Sequence, residues 1–110
     1  MPQFLYRIEP VRLGMLADGP TAHEASILDQ HFRHLEALVA RGIVLMAGRT
    51  LNADERAFGI VVLVAASAVE AAGILRDDPA VEHGIMKGEL FPYRVALWSA
   101  AGPTRATEGA

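Results

Sequence analysis

Two residues of this chain stand where chemistry could happen: an imidazole inside an apolar helical stripe, and an aspartate directly ahead of a proline. From Thr21 to Gly48 the chain reads as helix, turn and strand. At about 3.6 residues per turn, Ile27, Leu28, Phe32, Leu35, Leu38 and Val39 share one helix face. His31 falls within that stripe, between Leu28 and Leu35, and His34 lies on its flank. An imidazole directed at packing has two readings. It is a core histidine whose ring nitrogens are satisfied by backbone or water, or it is a general acid or base, since imidazole as a group titrates near neutrality. Asp78, in Asp77-Asp78-Pro79, also reads two ways. A proline at the first helical position favours a capping Asp before it, and a carboxylate can also hold a histidine tautomer, as in catalytic triads. The two roles are compatible.

The remaining polar candidates are weaker. Arg7 on the first strand points to the face opposite Phe4 and Tyr6; buried, it would want an anion, and at an edge it is solvated. Arg7 or Arg49 could anchor an anionic substrate, and Tyr6 is either core or a third substrate-binding candidate. His34 and Glu36 read as a solvated helix face, and His23, at the helix start, as exposed. His23, His31, His34 and His83 lack convincing metal spacing. His31 and His34 are three apart, but no Glu or further His is fixed beside them by sequence. Neither a metal nor a cofactor is expected. No phosphate-binding loop, dinucleotide fingerprint or nucleophile elbow occurs in the sequence.

Bulk composition narrows the class. The 110 residues are 52% hydrophobic and 21% charged, a globular balance in a chain long enough to bury a core. The net charge of −3 comes without any basic block, so phosphate neutralisation and nucleic-acid binding are set aside. With no cysteine, disulfides, thiolate metal sites and a Cys nucleophile are excluded. The start, Met-Pro-Gln-Phe-Leu-Tyr-Arg, lacks the pattern of a secretory signal, and no apolar run nears the ~20 residues that span a bilayer. A cytoplasmic protein without membrane contact is the expectation.

The elements that must position His31 and Asp78 follow in order. Gln3 to Glu9 alternates, with Phe4, Tyr6 and Ile8 on one face, as in a half-buried strand. Pro10 to Pro20 reads as a loop whose Met15 and Leu16 could cover a pocket. Thr21 and Glu24 match a capping box that opens the long helix, which Gly42 closes after Arg41. Ile43 to Ala47 is a short strand, and Arg49 to Arg56 a hairpin loop. Phe58 to Val64 is a continuously apolar strand. Ser67 and Glu70 suggest a second capping box, with a helix to about Arg76. A turn from Asp78 to Gly84 follows, then a strand from Met86 to Trp98. Pro92 places that last strand at an edge or a bulge. Residues 100–110 read as a flexible tail after a single domain over 1–99.

The order βαββαβ is the ferredoxin-like arrangement, an α+β fold with a four-stranded antiparallel sheet and two helices on one face. The first and third strands are then central and the fourth is an edge. An apolar third strand wants cover on both faces. With both helices on one side, the other face is most economically covered by a second copy, giving a homodimer through the sheet.

The chain resembles the YCII-related (YciI-like) proteins, small dimeric α+β-barrel domains. The resemblance rests on His31–Gly42 (H-F-R-H-L-E-A-L-V-A-R-G), Ala47-Gly48, Asp78–Gly84 (D-P-A-V-E-H-G) and the closing E-L-F-P-Y-R-V-A-L-W. It extends from Gln3 to Trp98. It implies that His31 and Asp78 are the active-site pair. The long Pro10–Pro20 segment departs from the family pattern, as does Arg49 after Gly48, where a proline is common. Two functions compete. One is a cofactor-free enzyme in which His31 moves a proton with Asp78 as its orienting partner, in isomerisation or in elimination such as dehalogenation of a small cyclic or anionic substrate. The other is a non-catalytic dimeric module that binds a small ligand or regulates a partner. An enzyme needs the pair bonded beside a pocket; a structural pair would be sealed in packing.

Overall fold

The computed structural model describes residues 1–103; residues 104–110, most of the expected tail, lie outside the described residues. Eight elements follow one another: β1 (Gln3–Pro10), α1 (Gly14–Ala17), α2 (Ala22–Ala40), β2 (Val44–Arg49), β3 (Gly59–Val64), α3 (Ala68–Asp77), α4 (Pro79–Glu82) and β4 (Met86–Tyr93). The strands form one antiparallel sheet in the order β2-β3-β1-β4, so the ferredoxin-like expectation holds with β1 and β3 central. Phe4, Tyr6 and Ile8 pair across β3 with Leu63, Val61 and Gly59, and this face meets the helices. Leu35 and Leu38 of α2 and Ala71 of α3 complete the core. Among the described residues no helix is long and apolar enough to cross a membrane.

The long helix begins as its sequence dictates. The Thr21 hydroxyl accepts from the Glu24 amide, and the Glu24 carboxylate accepts from the Thr21 amide, the reciprocal capping box. Gly42, with φ of 73°, supplies the left-handed residue that ends it. The apolar stripe is narrower than the periodicity implies. Ile27, Leu35 and Leu38 are buried, but Phe32 is 64% and Val39 50% exposed.

Four further differences from the sequence reading have local causes. The Pro10–Pro20 segment contains the single turn α1, too short for a period to show; it buries Met15. β2 extends to Arg49 and carries a bulge between Val44 and Met46. The Glu70 carboxylate accepts from the Ala66 amide, not from Ser67, so α3 has half a capping box. β4 ends at Tyr93, not Trp98, because its one partner runs out: Tyr93 pairs with Gln3, the first residue of β1. Beyond it the Val95 amide donates to the Gln3 side chain at 2.6 Å, while Leu97 and Trp98 are exposed. Pro92 sits on this edge strand opposite Phe4, where its missing donor costs little.

The Val11–Pro20 segment is tied to α2 by one side chain. Arg12 donates to both carboxylate oxygens of Glu24 and to the Gly19 carbonyl. The guanidinium bond, followed by the Thr21 amide, pulls the Glu24 carboxyl from its ordinary 4.5 down to about 2. Between those values the unfolded chain binds the extra proton. The stability from this contact is therefore present above about pH 4.5 and is lost as pH falls towards 2. Urea midpoints of the wild type should fall across that interval, and those of Arg12→Ala should fall less. Equal slopes would show that the contact is not linked to folding.

Candidate active site

Asp78 is the terminal residue of the α3–α4 corner and caps α4: its Oδ1 accepts from the Ala80 amide at 3.0 Å, with Pro79 at the first helical position. The side chain has no solvent exposure. Two further donors converge on it. His31 Nδ1 lies 2.6 Å from Oδ1, and the Tyr6 hydroxyl donates to Oδ2 at 2.7 Å. The capping bond and the contact with His31 therefore share one carboxylate, and the contact forms within one chain.

The electrostatics follow from this geometry. Burial pushes the Asp78 carboxyl upward, but the hydrogen bonds from His31 and Tyr6, the attraction of His31 and the Ala80 amide outweigh it, so the group is held below its ordinary range. The Tyr6 phenol moves the other way. Burial, then the negative charge of Asp78 and the hydrogen bond to it, hold it as the protonated donor. An ionised carboxylate can only accept, so the His31 nitrogen facing it is the protonated one. In the neutral ring Nε2 is then the lone-pair nitrogen.

His31 stands on the wall of a cavity of about 640 Å³ between α2 and the β2–β3 side of the sheet. That size suits a small organic ligand. Leu16 of α1, Phe32 and Leu35 of α2 and Val61 of β3 give it apolar walls, and Gly59 lies on its floor. A Cβ at Gly59 would come within 3.2 Å of the Gly48 carbonyl and 3.3 Å of the Ile8 side chain, so the backbone approaches closely here. Its polar members are His31, Glu36, Arg49 and Thr50; the Thr50 hydroxyl already accepts from the Phe58 amide.

The structure sorts the candidates. It brings together His31, Asp78 and Tyr6, and places Arg49 on the same cavity as His31. Tyr6 is fully buried, does not line the cavity and spends its hydroxyl on Asp78 instead, which departs from its expected place among substrate-binding residues. Arg7 does not join them. It lies on the opposite sheet face with its guanidinium 4.6 Å from the Phe58 ring centre and 4.0 Å from Glu9, because strand alternation turns it away from Tyr6. Glu36 is exposed as expected, but it also lines the cavity. His34 is half-buried, with Nε2 enclosed and unpartnered, and is not a solvated residue. His23 and His83 are exposed, and among the described residues no group of three or more His, Cys, Asp or Glu could hold a metal ion. The Tyr6–Asp78 bond escaped sequence reading: alternation points Tyr6 inward, but 72 positions separate it from its acceptor.

Residues 11–99 match the YCII-related domain family. Among solved structures the fold resembles 5-chloro-2-hydroxyhydroquinone dehydrochlorinase from Burkholderia phenoliruptrix AC1100, in complex with 2,5-dihydroxybenzoquinone. The TM-score is 0.64 at 20% identity, covering 84% of this chain and 93% of that one. At that identity the likeness concerns the fold. No curated protein matches the chain.

Two measurements test the site. Nitrogen-15 NMR of the neutral ring should show His31 protonated at Nδ1; a proton at Nε2 would overturn the tautomer. Tyr6→Phe leaves a buried charged acceptor short of one donor and should destabilise the protein by about 1–3 kcal/mol in urea unfolding. A change within error would mean that the Tyr6 bond carries no weight.

Proposed function

Since the chain belongs to the YCII-related domain family, we propose that it is a cofactor-independent enzyme that binds a small cyclic or anionic molecule and moves a proton with His31 and Asp78. The observation that carries this reading is the 2.6 Å contact between His31 Nδ1 and a fully buried Asp78, with the imidazole on the wall of a cavity large enough for a substrate. A pair retained only for packing would have no need of that cavity. Asp78 orients the ring and offsets the charge it acquires, Tyr6 holds Asp78, and Arg49 is the candidate anchor for a substrate anion.

Two reaction classes fit. In an elimination, a substrate proton moves to Nε2, its bonding pair becomes a new double bond, and a halide leaves with the electrons of its own bond. In an isomerisation, the proton taken from one carbon returns to another as the double bond shifts. The dehydrochlorinase of similar fold is named for a reaction of the first class.

The second copy belongs to the same proposal. On the sheet face away from the helices, Leu5, Ile60 and Phe91 form an apolar band around the already buried Val62, and Phe91 is 39% exposed there. We infer that two chains pair through this face. Light scattering at micromolar concentration should give twice the chain mass, and Phe91→Glu should give the monomer; a monomeric wild type would overturn the pairing.

Activity is testable without knowing the substrate. Chlorinated hydroxyaromatic acids and unsaturated lactone acids, incubated in heavy water, should release chloride or incorporate deuterium. His31→Gln should slow that reaction by about 10²–10⁴-fold. Equal rates in the variant would remove His31 from the chemistry. A wild type that binds such acids but neither exchanges nor releases anything would favour the non-catalytic ligand-binding or regulatory module.

A further inference from the structure

The cavity has two charges of opposite sign on its wall. Glu36 comes from α2, one turn and a residue beyond His31, and Arg49 from the end of β2. Among the described residues neither forms an ion pair, with the other or with a third group. Thr50, the remaining polar residue there besides His31, accepts from the Phe58 amide and keeps its O–H as a donor. A ligand in this cavity thus meets apolar walls and four polar heads: an imidazole nitrogen, a carboxylate, a guanidinium and the Thr50 hydroxyl as a donor.

Arg49 is aimed at the cavity by the bulge in β2. Without it, Val44, Met46 and Gly48 would share the helix-side face and Arg49 would point to the open one. With it, Ala47 pairs with Val61 and Arg49 with Gly59, the residues that face Tyr6 and Ile8 across β3. The guanidinium therefore belongs to the sheet face that carries Tyr6 and, through it, Asp78. At a spacing of about 4.8 Å per strand, Arg49 starts roughly 10 Å across the sheet from β1.

From this arrangement we infer that the cavity selects a singly charged cyclic acid that also carries a hydrogen-bond donor, with Arg49 holding the anion and Glu36 accepting from the donor. The inference rests on the cavity being the ligand site, as proposed above. Arg49 attracts any carboxylate. Glu36 distinguishes among them: it accepts from a hydroxyl or ammonium, leaves a donor-free acid without that bond, and repels a second carboxylate. Glu36 is exposed in the free chain, so a donor-free acid forgoes one net hydrogen bond there and leaves no buried group unpaired.

Four probes test this: phenol, benzoate, the para-hydroxy analogue of benzoate, and terephthalate, titrated into the full chain with amide NMR shifts of Ala47 and Gly59 as the local readout. In the wild type the hydroxy acid should bind about three- to tenfold more tightly than benzoate, the range of one net hydrogen bond, and terephthalate more weakly than either. Glu36→Gln should raise terephthalate affinity to that of benzoate. Arg49→Met should weaken all three acids and leave phenol unchanged. If the wild type ranks the acids equally, or if neither variant changes the ranking, the selectivity inference fails and the cavity reading stands. If no probe shifts Ala47 or Gly59, the cavity is not the ligand site and both fail.

Discussion

A fully buried carboxylate, that of Asp78, is the constraint around which the rest of this structure is arranged. Removing such a group from water is unfavourable unless donors replace the solvent. Here the donors come from three separated parts of the chain: the Tyr6 hydroxyl from β1, His31 Nδ1 from α2 and the Ala80 amide from α4. The first strand, the long helix and the corner after α3 must all be in place before the charge is satisfied. A local contact cannot do this, so the fold and the site form together.

The same arrangement gives the ring its direction. Asp78 and Tyr6 occupy the sealed side of His31 and the cavity occupies the other. The imidazole is the boundary between a polar network and an apolar chamber. Rotating it would break the contact with Asp78 and leave that buried carboxylate with two donors instead of three, so the ring is held by the cost of that alternative.

Much of this was legible in the sequence, and what was not has physical reasons. The strand alternation of β1, the Thr21–Glu24 capping box, the apolar run of β3 and Pro92 in the last strand each report local preferences, and together they specify the topology. His31 stood out because an apolar stripe makes a polar member conspicuous, and Asp78 because proline marks a cap. Tyr6 as the third member was hidden, since alternation gives a side chain's face and not its partner. The placement of Arg49 depends on a bulge, and a bulge inserts one residue without a sequence signature at Val44-Leu45-Met46. The exposure of Phe32 and Val39 was missed for a related reason. Periodicity shows which face of a helix is apolar, but not that part of the face roofs a cavity and lacks a packing neighbour.

Preorganisation is the sense in which these parts act as one. A base that takes a proton becomes a cation, and in water the solvent must then reorganise around it. In the proposed proton transfer the charge that would offset the imidazolium is already present, since Asp78 is held low by donors from His31 itself, Tyr6 and Ala80. Under that proposal the stabilisation would precede the proton transfer and need no motion. Apolar walls line the other side, and the polar residues Glu36 and Arg49 there are exposed. In the proposed function these few polar groups would orient the ligand by the signs they carry. In that reading the buried network fixes which nitrogen of His31 keeps its lone pair, and the cavity limits what could reach it.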